Sequence, residues 1–338
     1  MRWRQLLVLL ACTISSRAAL FDWPTENKAL LEGRPEDFYM YVERNFEGAT
    51  TKPWEGGSYG YVRGPQRIGN DIVYNTLHEG IDIAPIHRDA SGNPLDDIKS
   101  CAAGTVVHTS REAGASNYGR FIVIRHVIEG SPIYTLYAHL SSISVESGQE
   151  VAQGDVIGRM GFTGAGITRE RAHLHLEIAI LLNEEFEAWY RRYFSSCPNK
   201  HGIYHGYNLA GIDPAAILLA SAKDPDFSLK KHILNQEVAY QITLPESSGL
   251  SIIRDYPWLV PDGEPASPVG WTLSFTRYGV PVKAVAAKKP PLSPCLEWVR
   301  ETPYSYQTAT RGVISGSKGN PRLTESGRRF VELLSGTP

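Results

Sequence analysis

A mainly β fold with an antiparallel core is predicted by three features of this 338-residue sequence. From about residue 56 to 182, short alternating segments such as Arg120 to His126 and Ile133 to His139 are separated by glycine turns, the pattern of an antiparallel sheet. In Ala172-His173-Leu174-His175-Leu176-Glu177-Ile178 the apolar residues recur at period two, which selects strand over helix. The length suggests two folded units, and 42% hydrophobic with 21% charged residues is ample for their cores. A few short helices and a small mixed α+β C-terminal region complete the expected class.

Residues 1–18 read as an export signal: Met1-Arg2-Trp3-Arg4 is positive, Leu6 to Ile14 is apolar, and Ser16-Arg17-Ala18 is a small-x-small cleavage site. That apolar stretch is too short to span a bilayer. A second route is lipoprotein processing at Leu9-Leu10-Ala11-Cys12, with Cys12 acylated. Either route delivers the protein across the inner membrane to the periplasm or the extracellular cell envelope. Residues 19–55 form a lead-in whose Phe38-Tyr39-Met40-Tyr41 is read as a strap across the core. Beyond the sheet region, Glu184 to Phe194 reads as a helix with Phe186, Trp189, Tyr190 and Tyr193 on one packing side. Asp213-Pro214 opens a short helix through Ala220, since proline suits a first helical turn. Gln236 to Leu244 and Gly270 to Arg277 alternate like strands, Lys288 to Pro294 is a stiff connector, and Thr324 caps a final helix ending near Gly336.

The chemistry concentrates around two segments. In an extended chain His173, His175 and Glu177 face one way while Leu174, Leu176 and Ile178 face the other, so one side can grip a metal and the other fill a core. A helix would instead separate the two imidazoles by about 200°. Upstream, Leu77-His78-Glu79-Gly80-Ile81-Asp82 places a histidine and an aspartate four apart, again on one face of an extended segment. Gly80 between them suggests a sharp turn that only a residue without Cβ accepts at no steric cost. Two imidazoles and a carboxylate are a ligand set for zinc, with the fourth tetrahedral position left for water. The segment His78-Glu79 followed by Asp82 also imitates the helical H-E-x-x-H motif, but position 82 is not histidine, and Gly80, Ile81 and Ile83 oppose a helix.

Together with Tyr137-Ala138-His139-Leu140 and His173-Leu-His-x-Glu177, the H-x-x-x-D pattern closely resembles the lysostaphin-type, LytM-like zinc endopeptidases of bacterial cell walls, the M23 peptidases. Gly104-Thr-Val-Val, Gly119 to His126, Gly148 to Val151, Gly154 to Gly158 and Gly161 to Gly164 follow in the order that family shows, and the resemblance runs from about Gly60 to Asp213-Pro214. It implies an antiparallel core of the lysostaphin/LytM type, duplicated-hybrid-motif-like, in a zinc metallopeptidase domain at 56–222, followed by an accessory region at 223–338. It implies further that His78, Asp82 and His175 bind one zinc ion (Zn2+), while His139 and His173 stay unligated beside the reacting water. Free imidazoles suit proton transfer and oxyanion stabilisation. Which histidine is the base and which the donor stays open. Glu177 is read as a solvated strand residue or a partner of a ligand rather than a fourth ligand.

Peptidoglycan peptides are the implied substrate, cleaved at a crosslink or stem-peptide bond. The alternative is a non-catalytic relative that binds wall or activates another hydrolase. Such relatives tend to have lost zinc ligands, whereas all five residues are present here. The C-terminal region is expected to bind wall or envelope partners or to cover the groove. A net charge of -2 supplies no basic field, which argues against a nucleic-acid partner.

Of the remaining histidines, His87, His108, His126, His201, His205 and His232 lack a partner at ligand spacing and are read as surface or hydrogen-bonded structural groups. His201 and His205, in an insertion, are the ones placed to line a substrate groove. Signal removal leaves Cys101, Cys197 and Cys295, an odd number. Cys101 is expected to pack as a small hydrophobe, leaving Cys197 and Cys295 as the pair able to tie the insertion to the tail.

Overall fold

A computed structural model describes residues 19–245, 250–289, 291–316 and 319–336, so the export-signal reading of 1–18 lies outside the described residues. The strands that position the site in the N-terminal two thirds are β1 (Gly60–Ile68), β2 (Asp71–His78), β3 (Ile81–Ile83), β4 (Gly104–Ser110), β5 (Phe121–Ile128), β6 (Ser131–Ala138), β7 (Glu150–Val151), β8 (Leu174–Leu181) and β9 (Leu209–Ile212). Strands β1 and β2 form a separate hairpin. The main antiparallel sheet has the order β7-β4-β5-β6-β8-β9, with β3 also pairing β8. The predicted mainly β, antiparallel class is observed.

Strand β8 is the hub. One edge pairs β6; the other is shared by β3 against Leu174 to Leu176 and by β9 against Ile178 to Leu181. Leu174, Leu176, Ile178 and Ile180 are fully buried in the core, as period two requires. On the opposite face Ala179 and Leu181 join a smaller apolar cluster that Ile203 and Tyr204 of the insertion cover. The histidine end of that face lines a cleft.

The lead-in packs along β3. Tyr39 bridges to Ile83, the Met40 N–H donates to the Asp82 carbonyl at 2.8 Å, and Phe38 is fully buried. Helix α1 (Phe186–Phe194) buries Phe186, Trp189 and Tyr190 as anticipated. Helix α2 (Pro214–Lys223) runs three residues past the predicted Ala220; the Asp213 carboxylate caps it by accepting from the N–H groups of Ala215 and Ala216.

Strands β10 (Tyr240–Pro245), β11 (Gly270–Phe275), β12 (Pro281–Ala286) and β13 (Cys295–Val299) form a second antiparallel sheet, ordered β12-β11-β10-β13. Helix α3 (Glu325–Ser335) follows, with Thr324 accepting from Gly327 N–H and Gly336 left-handed at its end. This region shares one hydrophobic core with the first sheet. Tyr256 Oη accepts from Leu181 N–H at 2.9 Å, and Trp189 Nε1 donates to the Arg329 carbonyl at 2.8 Å. Cys101 is buried as expected, but Cys197 and Cys295 are both free and exposed. The anticipated tie between them is not formed: Cys197 follows α1, and Cys295 opens the edge strand β13.

The account of Gly80 changes. It is not among the glycines with positive φ. A Cβ there would lie 2.3 Å from the Leu176 carbonyl oxygen, so glycine is needed because the chain crosses directly against β8. His78 and Asp82 consequently belong to two strands broken at Glu79-Gly80 rather than to one extended segment. Gly80→Ala is expected to push β3 off β8 and destabilise the protein by about 1–3 kcal/mol, read as a lowered unfolding temperature.

His126 is buried, with Nδ1 donating to the Ala103 carbonyl at 2.9 Å and Nε2 facing Thr135 Oγ1 at 2.8 Å. Burial pushes its pKa down to about 4. An unfolded histidine titrates near 6.5, so between pH 6.5 and 4 the unfolded chain holds the extra proton and stability falls as pH drops. The penalty reaches roughly 3 kcal/mol at pH 4. In urea titrations across this window, His126→Asn is expected to show a shallower acid dependence than wild type, by about one proton.

Candidate metal centre

Pairing register assembles the site. His175 lies directly across from Asp82 of β3 on one side and from Ala138, the residue before His139, on the other. Cross-strand partners share a sheet face, so Asp82 and His175 project together. His78 arrives from the end of β2, and His173, bridged to Gly161, stands at the entry to β8. All five predicted residues line a single cleft of about 370 Å3.

Hydrogen-bond logic picks out the candidate donor atoms. A carbonyl oxygen only accepts, so the 2.8 Å contact from His78 Nδ1 to the Ser58 carbonyl puts the proton on Nδ1 and leaves Nε2 bare. His175 Nε2 donates to the Glu177 carboxylate at 3.0 Å, so its Nδ1 points inward. His78 Nε2, His175 Nδ1 and Asp82 Oδ1 then form a triangle with sides of 3.1, 3.0 and 3.1 Å. Two ring nitrogens and a carboxylate oxygen this close need a proton or a metal cation among them; without metal, a proton on His175 Nδ1 bridges the other two. Ligands of tetrahedral zinc, each about 2.0–2.1 Å from the metal, stand about 3.3 Å apart, so a shift of a few tenths of an ångström admits the ion. The donor set fits zinc.

Burial opposes charge on both Asp82 and His175. Around Asp82, the imidazoles of His78, His173 and His175 outweigh that cost and hold the carboxyl well below its usual range. Around His175, the Asp82 and Glu177 carboxylates outweigh it and raise the imidazolium to about 9. A metal ion must therefore displace a proton on binding.

His139 and His173 stand beside this candidate triangle but are not part of it. Their Nδ1 atoms donate to the carbonyls of Thr163, at 2.9 Å, and Arg171, at 2.6 Å, which leaves both Nε2 atoms as acceptors. Their rings meet edge to face at 4.7 Å. His173 Nε2 is 3.4 Å from Asp82 Oδ1. Burial and the neighbouring imidazoles push the His139 pKa well below the ordinary histidine value; burial likewise lowers that of His173. His139 also has a left-handed backbone, φ 64, at a cost of about 1–3 kcal/mol that the surrounding packing sustains.

Glu177 is buried rather than solvated: it accepts from His175 and from Tyr118 Oη at 2.5 Å, which fixes the His175 tautomer. His201 and His205 do line the cleft. Three residues were not foreseen. Tyr118 holds Glu177; Arg63, from β1, bonds Asp82 Oδ2 at 2.5 Å; and Arg311, from the C-terminal region, closes one wall. No spacing announces them, because each reaches the site from a separate loop or strand.

The model of peptidase family M23 matches residues 76–186. Similar curated proteins include the lipoprotein NlpD/LppB homolog of Pseudomonas aeruginosa, 30% identical over 122 residues that cover 36% of this chain and 36% of that protein. The peptidoglycan DD-endopeptidase ShyA of Vibrio cholerae is 38% identical over 117 residues, 34% of this chain and 23% of that protein. The chain thus spans little more than a third of the first relative and under a quarter of the second. Among solved structures, the catalytic domain of the antimicrobial peptidase lysostaphin from Staphylococcus simulans is 27% identical, covering 37% of this chain and 82% of that one with a TM-score of 0.26. The match to peptidase family M23 over residues 76–186 takes in all three candidate metal ligands and both further histidines.

Proposed function

We propose that the chain is a zinc-dependent endopeptidase that hydrolyses a peptide bond in the crosslinks or stem peptides of bacterial peptidoglycan. The observation that carries this reading is the triangle of His78, Asp82 and His175 donor atoms with two unligated imidazoles beside it. Bound in the triangle, zinc would polarise the scissile carbonyl and acidify the attacking water. His78, Asp82 and His175 would hold the ion; Arg63 neutralises the outer oxygen of Asp82, and Glu177 orients His175. The bare Nε2 of His139 or of His173 accepts the proton of the attacking water and passes it to the leaving amine as the C–N bond breaks, while the other, protonated from solvent, donates a hydrogen bond to the oxyanion. The carbonyls of Thr163 and Arg171 hold the two rings in these tautomers.

The similarity to a peptidoglycan DD-endopeptidase supports the substrate class, and the similarity to a lipoprotein supports an envelope location. In this reading residues 1–18 direct export, 56–222 form the catalytic domain, and 223–338 serve as an accessory region. No described helix is long and apolar enough to cross a membrane. Incubating the exported protein with purified walls of defined crosslink chemistry and labelling new amino ends tests the reading. New ends at one kind of peptide bond are expected; wall binding without new ends would favour the non-catalytic alternative.

A further inference from the structure

Arg311 lies far beyond the family match yet stands at the metal cleft. Its backbone is left-handed, φ 58, and its N–H donates to Tyr61 Oη at 2.5 Å. From this pinned position Nη2 donates to Glu79 Oε1 and to the Gly206 carbonyl, both at 3.2 Å. Glu79 adjoins the candidate ligand His78, so Arg311 is held within one residue of the centre. Among the described residues both side-chain bonds leave from Nη2.

Arg311 also lines a second, partly open cavity of about 180 Å3 between α1 and α3, walled by Trp189, Phe194, Tyr207 and Phe330. Tyr207 and Arg311 line both spaces, so this cavity adjoins the metal cleft. The fully buried Tyr240 also lines it, and the Tyr240 hydroxyl has no hydrogen-bond partner among the described residues. A Cβ on Gly279 would lie 3.8 Å from that hydroxyl and 4.0 Å from Arg311 Nη1, so glycine leaves the space between the two polar groups clear. A buried polar atom without a partner is rare and calls for one. A guanidinium nitrogen and an unpaired hydroxyl among aromatic rings match a small oxyanion on an apolar stem.

We propose that this cavity is a specificity subsite for a free carboxylate of the peptide substrate, recognised by Arg311 and Tyr240, with the adjoining short side chain against the aromatic walls. The identity of the ligand as a peptide rests on the peptidase reading. A peptide carboxylate has two sources, a chain terminus and an acidic side chain, and the subsite chemistry is shared by both. The C-terminal region thereby completes the binding groove.

The test uses the full exported chain and a stem-type peptide carrying both carboxylates, with each amidated singly. For wild type, kcat/KM is expected to fall about 10- to 100-fold on amidation of one of them, which identifies the source. Arg311→Gln is expected to lose a similar factor on the unmodified peptide, chiefly through KM, and to ignore that amidation. Arg311→Lys should recover part of the loss, and Tyr240→Phe should show a smaller loss confined to the same carboxylate. Unchanged zinc content and unfolding temperature separate these effects from misfolding. Equal slowing of acid and amide peptides by Arg311→Gln, or no slowing of either, would overturn the proposal. If wild type cleaves none of the peptides, the peptidase reading fails separately. Calorimetric titration of the same peptides then decides the subsite: affinity lost in Arg311→Gln only for the carboxylate form supports it, and equal affinities reject it.

Discussion

Asp82→Ala is expected to abolish zinc binding and hydrolysis together. Asp82 serves two partners at once: Oδ1 closes the triangle with His78 Nε2 and His175 Nδ1, and Oδ2 takes the Arg63 guanidinium. Alanine removes one of three candidate donors and leaves two bare imidazole nitrogens beside an unpaired cation. The loss in metal affinity should exceed the about 10- to 100-fold typical of removing a mere supporting partner. Elemental analysis of purified protein is expected to fall from about one zinc per chain to a trace. Retention of stoichiometric zinc would show that Asp82 is not a ligand.

The second large effect has the opposite metal signature. His139→Ala is expected to lower hydrolysis by about 10²- to 10⁴-fold, the usual contribution of a positioned acid or base, while zinc stays bound. Its Nδ1 is committed to the Thr163 carbonyl, and it is not part of the donor triangle. His139→Gly provides a folding control, since glycine accepts φ 64 without strain. Both variants should behave alike in activity. Zinc loss in either would move His139 into the ligand set.

Much of this centre was legible because strand geometry is periodic. Alternation fixes the common face of His173, His175 and Glu177, and the glycine-punctuated segments mark the sheet that carries them. Period two says nothing about which strands become neighbours, however. The register that sets Asp82 across from His175 depends on β3 and β9 sharing one edge of β8, a tertiary choice. The same limit explains Gly80, whose role is a close crossing against Leu176 rather than a local turn. Tyr118, Arg63 and Arg311 were illegible for a related reason: each acts through a single side chain delivered by packing, and Arg311 reaches Glu79 across 232 positions of sequence. Glu177 was legible as to face but not as to burial, because Tyr118 meets it only in three dimensions.

The central claim is that one cation, held by His78, Asp82 and His175, enables this chain to hydrolyse wall peptides. The most direct measurement counts new amino ends released from purified walls by the exported protein as isolated, after chelator treatment, and after zinc is restored. The account predicts release, loss and recovery in that order. Release that survives complete removal of the metal would contradict it.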